Sequence, residues 1–175
     1  MLPAQYQWLP TINPPNMIVK GLQLYGTLEK IGPESNPIIL EWASEVNLTA
    51  TYTGDDIPWC GLFVATVAHR SGWDIVKNPL WARSWIDFGI AADIPSLGDI
   101  LIFSRDGGGH VGLYVAEDDN CYHVLGGNQS DSVSITRVNK VRLIGARRPK
   151  WKISQPASVK PYKVTASGVI SVNEA

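Results

Sequence analysis

Asp55-Asp56-Ile57-Pro58 runs directly into Trp59-Cys60-Gly61-Leu62-Phe63-Val64-Ala65-Thr66-Val67-Ala68-His69-Arg70. Asp56 carries the side chain of an N-cap, whose oxygen accepts from the orphan N–H groups of a first turn. Pro58 suits that turn because its missing N–H costs nothing there. The residues that follow are apolar nearly all round, so this helix has little solvent face and belongs at the centre of a domain. Gly72 is its stop, since helices often end on a residue in the left-handed region. The cysteine in its first turn is the first chemical signal. Backbone N–H groups and the helix dipole favour a thiolate at such a position.

Toward the N-terminus, Ile18, Leu22 and Tyr25 form the buried stripe of a short helix that begins at Met17. Gly32-Pro33 breaks it. Pro37 starts a second helix over Ile38 to Val46, with Ile38, Ile39, Trp42 and Val46 at its apolar positions. Residues 1–16 hold Pro3, Pro10, Pro14 and Pro15 and read as an extended arm with Trp8 as an anchor. Beyond the central helix, residues 79–90 suggest a shorter helix around Trp81, Arg83 and Trp85.

The second half reads as strands: Asp99 to Ser104, His110 to Ala116, Cys121 to Asn128, Ser132 to Val138 and Val141 to Ala146, with Asn139-Lys140 as the last turn. Helices first and antiparallel strands after predict an α+β fold, with N-terminal helices packed on a C-terminal antiparallel β-sheet. The expected organisation is an arm over 1–16, one catalytic domain over 17–150, and a segment over 151–175 that is either a tail or a docking strand.

The composition narrows the function. The chain has 175 residues, 45% of them hydrophobic, which suits one globular domain. Lys and Arg total 15 against 16 Asp and Glu, so no global basic charge points to nucleic acid. No apolar run approaches the ~18 residues of a spanning helix, and stable membrane insertion is not expected. The start lacks a basic segment followed by an apolar one, so no secretory signal is expected. Cys60 and Cys121 show no CxxC spacing, and Cys60, His110 and His123 match no known zinc ligand spacing. No metal or cofactor is expected.

A cysteine nucleophile needs a base. His69 ends the helix that Cys60 begins, ~13 Å along the axis, and suits a cation at a helix C-terminus. His110 follows Gly107-Gly108-Gly109 and opens a strand, where glycine lets another element approach closely. If Asp118-Asp119-Asn120 is a three-residue loop with Asn120 left-handed, Tyr114 pairs with Val124, Ala116 with Tyr122, Glu117 with Cys121 and Gly112 with Gly126. His110 then faces Asn128, which could hold one ring nitrogen while the other faces Cys60. Gly126-Gly127-Asn128-Gln129 also reads as a plain turn. His123 falls on the core side as a structural histidine, and Cys121 lies at the loop end. Arg137 to Lys152 holds seven cations and no acid. It is either a basic face for anionic polymers or a solvated strand pair.

Four motifs occur in order: Trp59-Cys60-Gly61-Leu62-Phe63-Val64, Pro95-Ser96-Leu97-Gly98-Asp99-Ile100, Gly109-His110-Val111-Gly112-Leu113-Tyr114, and Leu125-Gly126-Gly127-Asn128-Gln129. Together they resemble the CHAP group (cysteine, histidine-dependent amidohydrolases/peptidases) and the neighbouring NlpC-type cell-wall peptidases, both papain-like. Ala82-Arg83-Ser84-Trp85 and Arg147-Arg148-Pro149 are similar to an endolysin-type phage and prophage branch. The resemblance covers Met17 to Pro149. It implies a peptidoglycan hydrolase that cleaves an amide of the stem peptide or the bond joining it to sugar. Cys60 would be the nucleophile, His110 the base and Asn128 the third member, with Gln129 its rival. The usual acidic orienter is absent between Cys121 and Ser130.

Asp56, Trp59, Trp85 and Gln129 are the expected substrate-binding residues, and Trp81 is a further groove candidate. Such an enzyme, made in a host cytoplasm, would reach the wall after holin release or as a virion component. The alternatives are an inactive wall-binding or virion-structural module of the same fold, and a papain-like acyltransferase.

Overall fold

The computed structural model describes residues 1–32, 34–165 and 168–171. Among the described residues, three α-helices, α1 (Asn16–Gln23), α2 (Pro37–Glu45) and α3 (Cys60–Arg70), precede all of the strands. Seven strands follow: β1 (Ile90–Ala91), β2 (Ile100–Arg105), β3 (Gly108–Glu117), β4 (Cys121–Gly126), β5 (Ser134–Asn139), β6 (Leu143–Arg148) and β7 (Ile170–Ser171). They form one mixed sheet in the order β1-β6-β2-β3-β4-β5-β7. The β5–β7 pairing is parallel and the other strand pairings among the described residues are antiparallel. The fold is α+β.

Every residue of α3 from Cys60 to Ala68 is buried. Thr66 is accommodated because its hydroxyl donates to the Leu62 carbonyl at 2.9 Å. Gly72 (φ 78°) ends the helix. Its N–H donates to the His69 carbonyl and that of Trp73 to the Ala68 carbonyl, which satisfies two orphan acceptors. The start differs from expectation. Trp59 is the N-cap residue and no side chain caps it, while Asp56 is exposed. Gly61 is required here, because a Cβ would lie 2.2 Å from the Pro79 carbonyl oxygen.

Side chains from all three helices, including Ile18, Trp42 and Phe63, share one buried cluster with Ile100, Ile102, Val111, Leu113 and Leu125 of the sheet. Leu101, Phe103, Tyr114, Val124, Val138 and Ala146 form a second cluster. In α2, Ile38 is 50% exposed, against the expectation of an apolar contact.

The β3–β4 hairpin keeps half of the expected register. Tyr114 pairs with Val124, but the register shifts between Tyr114 and Ala116, so Ala116 faces His123 and Glu117 faces Tyr122. Asn120 is not among the left-handed residues. The loop is closed instead by Asp118, whose Oδ1 accepts from the N–H groups of Asn120 and Cys121. Asn139 does mark a turn, capping the N–H of Val141 with its side chain. The chain then crosses the sheet, and β6 pairs with β1 and β2.

The N-terminal arm is not extended. It forms two 3₁₀ turns, Ala4–Tyr6 and Leu9–Ile12, that bury Tyr6 and Leu9. The C-terminal segment docks on it and on the sheet. Trp8 stacks on Tyr162 at 4.8 Å, Val164 N–H donates to the Glu117 carbonyl, and β7 lines up with Arg137 and Val138. Residues 33, 166, 167 and 172–175 lie outside the described part, and so does the expected break at Pro33.

Candidate active site

Cys60 opens α3, and the backbone N–H groups of Val111, Gly61 and Cys60 itself favour its thiolate. Val111 directly follows His110 on β3. Cys60 and Val111 lie in one buried cluster, which brings the head of α3 to β3. Burial is the largest influence on the Cys60 thiol and pushes it up, and the N–H of Val111 and the charge of Arg105 pull the other way without overcoming it. The expectation of a thiol lowered by its helix N-terminus is corrected on this point. At 7% exposure, desolvation of the anion outweighs the helix end.

His110 is 1% exposed and its Nε2 lies 3.0 Å from Gln129 Oε1. The orientation of the Gln129 amide follows from its other partners. Its Nε2 faces the carbonyls of Ser134 (2.7 Å), Val124 (3.2 Å) and Gly126 (3.3 Å). Carbonyls accept only, so the nitrogen must point at them and the oxygen at His110. The hydroxyl of Thr136 donates to the same Oε1 at 2.9 Å. An oxygen facing His110 requires a hydrogen on Nε2, which leaves the basic lone pair of a neutral ring on Nδ1. Phe103 stacks on the ring at 6.4 Å.

Gln129, and not Asn128, is thus the residue against His110. β4 ends at Gly126, and Asn128 adopts a left-handed backbone with φ 54°. The alternation of a strand fails there, and the turn closes with Gln129 N–H on the Ser132 carbonyl at 3.0 Å. The side chain one position later folds back beneath the imidazole. Both glycines of the motif are sterically required. A Cβ at Gly126 would sit 2.9 Å from Gln129 Oε1 and 3.3 Å from His110 Nε2, and one at Gly127 would sit 2.7 Å from the Trp59 ring. Thr136 escaped the sequence reading, since nothing in its spacing marks it.

The expected binding residues fare differently. Trp59 is fully buried and its indole N–H donates to Glu29 at 3.0 Å. Trp85 is fully buried and donates to the Pro79 carbonyl at 2.9 Å. Neither ring can line a groove, because each fills the core. Trp81, at 75% exposure, is the tryptophan that faces solvent. Asp56 is exposed upstream of Cys60, whereas its neighbour Asp55 is buried and accepts from the N–H groups of Lys30 and Asn36.

The remaining motifs have structural partners. Asp99 receives Arg148 through Nε at 2.9 Å and Nη2 at 2.7 Å, joining the second motif to the Arg-Arg-Pro end. His123 is buried, with Nδ1 2.6 Å from the Tyr6 hydroxyl and Nε2 2.9 Å from Asp118, and Asp118 also receives Arg137 at 2.8 Å. Cys121 is free and buried. The expected basic face is largely committed inward. Arg137 and Arg148 hold carboxylates, Lys140 pairs with Glu117, Arg142 donates to the Ser104 carbonyl, and Arg147 donates to the Phe88 carbonyl.

No family model matches the chain, and no curated protein matches it. Among the described residues no helix is long and apolar enough to cross a membrane.

Proposed function

We propose that this protein is a papain-like cysteine hydrolase that cleaves an amide bond of bacterial peptidoglycan, with Cys60 as nucleophile, His110 as base and Gln129 as the residue that orients His110. The observation that supports the chemistry is an imidazole whose Nε2 is clamped by Gln129, on the strand whose next residue, Val111, shares a buried cluster with Cys60. The peptidoglycan target rests on the ordered motifs that resemble the CHAP and NlpC-type enzymes.

The buried thiol stays protonated at rest. His110 Nδ1 removes its proton as the sulfur attacks the carbonyl carbon, so base and nucleophile act in one step. The oxyanion is stabilised by the Cys60 backbone N–H at the head of α3. Collapse breaks the C–N bond, and the imidazolium passes its proton to the leaving amine. Water then gives a proton to His110 and attacks the thioester, which releases the acid and restores the thiol. Gln129 keeps Nδ1 directed to the reaction throughout.

A turbidity assay on permeabilised Gram-negative cells tests this reading. The wild type clears the suspension, and alkylation of Cys60 stops the clearing. Clearing that survives complete alkylation excludes the thiol mechanism, and an intact suspension with unmodified protein fits a binding module.

A further inference from the structure

At the end of α3 away from Cys60, three segments enclose a cavity of about 670 Å³. They are the chain after the helix from Trp73 to Lys77, the run Asp87 to Gly89, and Lys150 to Lys152 beyond β6. Backbone contacts fix all three. Trp73 N–H donates to the Ala68 carbonyl, and Arg147 Nε donates to the Phe88 carbonyl at 2.7 Å. Gly89 has φ 50°, and a Cβ there would collide with the Arg148 carbonyl oxygen. The half-buried rings of Trp73 and Trp151 meet edge to face in the wall, with centroids 5.5 Å apart. Trp151 Nε1 is buried and has no hydrogen-bond partner. A buried indole N–H normally finds an acceptor, so this donor calls for one.

The rim is charged in both signs. Lys77, Lys150 and Lys152 supply donors, Asp74 and Asp87 supply acceptors, and all five are exposed. Among the described residues none of the five has an ion-pair partner. Lys150 and Lys152 thus differ from the other cations of the basic stretch, which are committed inward. Aromatic walls with a mixed polar rim suit a sugar, whose C–H faces are apolar and whose hydroxyls need donors and acceptors around the edge. A phosphate-bearing ligand would instead meet the two carboxylates as like charges. An acetamido group completes the match, with its carbonyl for the orphan N–H of Trp151 and its methyl for Ile75 and Val76. The volume lies in the usual range for small-ligand sites. We propose that this cavity is a second binding site that takes an acetamido sugar, separated from Cys60 by the length of α3, about 15 Å. Its natural source, the glycan strand of the wall, rests on the hydrolase reading. The protein then grips the glycan at a point remote from the amide it cleaves.

The test is an NMR titration of the isotope-labelled full chain, read at the indole N–H signals. One titrant is the N-acetylglucosamine tetramer and the other is the glucose tetramer of the same linkage, which lacks acetamido groups. The acetylated tetramer should move the Trp73 and Trp151 signals saturably and bind about tenfold or more tighter than the glucose tetramer, the scale of one good hydrogen bond. Trp151→Phe keeps a ring beside Trp73 but loses the donor, and should remove most of that preference. Asp74→Ala and Asp87→Ala guard against a folding defect, since both side chains are exposed and unpaired, and each should weaken binding about threefold or more. Signals that stay in place, equal binding of the two sugars, or movement confined to other indoles such as that of Trp81 overturn the site. Clearing of cells is read separately. Clearing without sugar binding removes the site and leaves the hydrolase intact, whereas sugar binding without clearing keeps the site and removes the hydrolase.

Discussion

Gln129 Oε1 lies 3.0 Å from His110 Nε2, and the rest of the Gln129 amide is tied to three backbone carbonyls and Thr136. The imidazole is therefore oriented by a residue that is itself fixed. Gln129→Ala removes that clamp and should lower kcat by ~100-fold with KM little changed, as expected for loss of alignment. Asn128→Gly keeps the left-handed backbone and should leave kcat near wild type. Steady-state kinetics on a stem peptide decide between them. A larger kcat loss for Asn128→Gly than for Gln129→Ala would restore Asn128 as the orienting residue.

The Tyr6–His123–Asp118–Arg137 chain gives stability a defined pH dependence. Burial lowers His123 despite the neighbouring Asp118. The unfolded chain then takes up a proton more readily than the folded one, so this contribution is present above ~6.5 and drains as pH falls. Burial would raise Asp118, but Arg137, His123 and two backbone N–H groups outweigh it and hold the carboxylate well below its usual range. Its share is present above ~4 and is lost as pH falls further. At the other end, burial pushes Tyr6 up to about 12, so its share is lost as pH rises from ~10 through that value. Urea midpoints between pH 3 and 11 should form a plateau that descends on both sides. A midpoint that rises as pH falls from 7 to 5 would contradict this.

Asp99 is a charge in the core whose partner is Arg148. Arg148→Ala leaves that carboxylate without its bidentate partner and should cost roughly 3–5 kcal/mol, which denaturant unfolding would read directly. Arg147→Ala, which loses bonds to the Phe88 and Gly89 carbonyls, should cost less. A loss within 1 kcal/mol for Arg148→Ala would mean that water replaces the guanidinium.

The central helix was legible because its apolar character runs all round and Gly72 has a physical reason to end it. The expected Tyr114–Val124 pair rests on the same alternation that the sheet obeys. What followed was not legible. A bulge at Val115 leaves no mark in the residue pattern, and it moved each later pair by one. The choice between Asn128 and Gln129 turned on a single left-handed residue that ended the strand rule. Trp59 and Trp85 looked like groove residues because aromatic spacing does not report which rings have a buried hydrogen-bond acceptor. The basic character of Arg137 to Lys152 was legible as charge, but the acids that absorb it, Asp99, Glu117 and Asp118, lie outside that segment.

Mass spectrometry of digested peptidoglycan tests the Cys60–His110 account most directly. Wild type should release fragments carrying a newly exposed amino group. Cys60→Ala and His110→Ala should release none, and Cys121→Ala should match wild type. Fragments that persist in Cys60→Ala, or wild-type digests that carry a transferred acyl chain in place of a new amine, would contradict it.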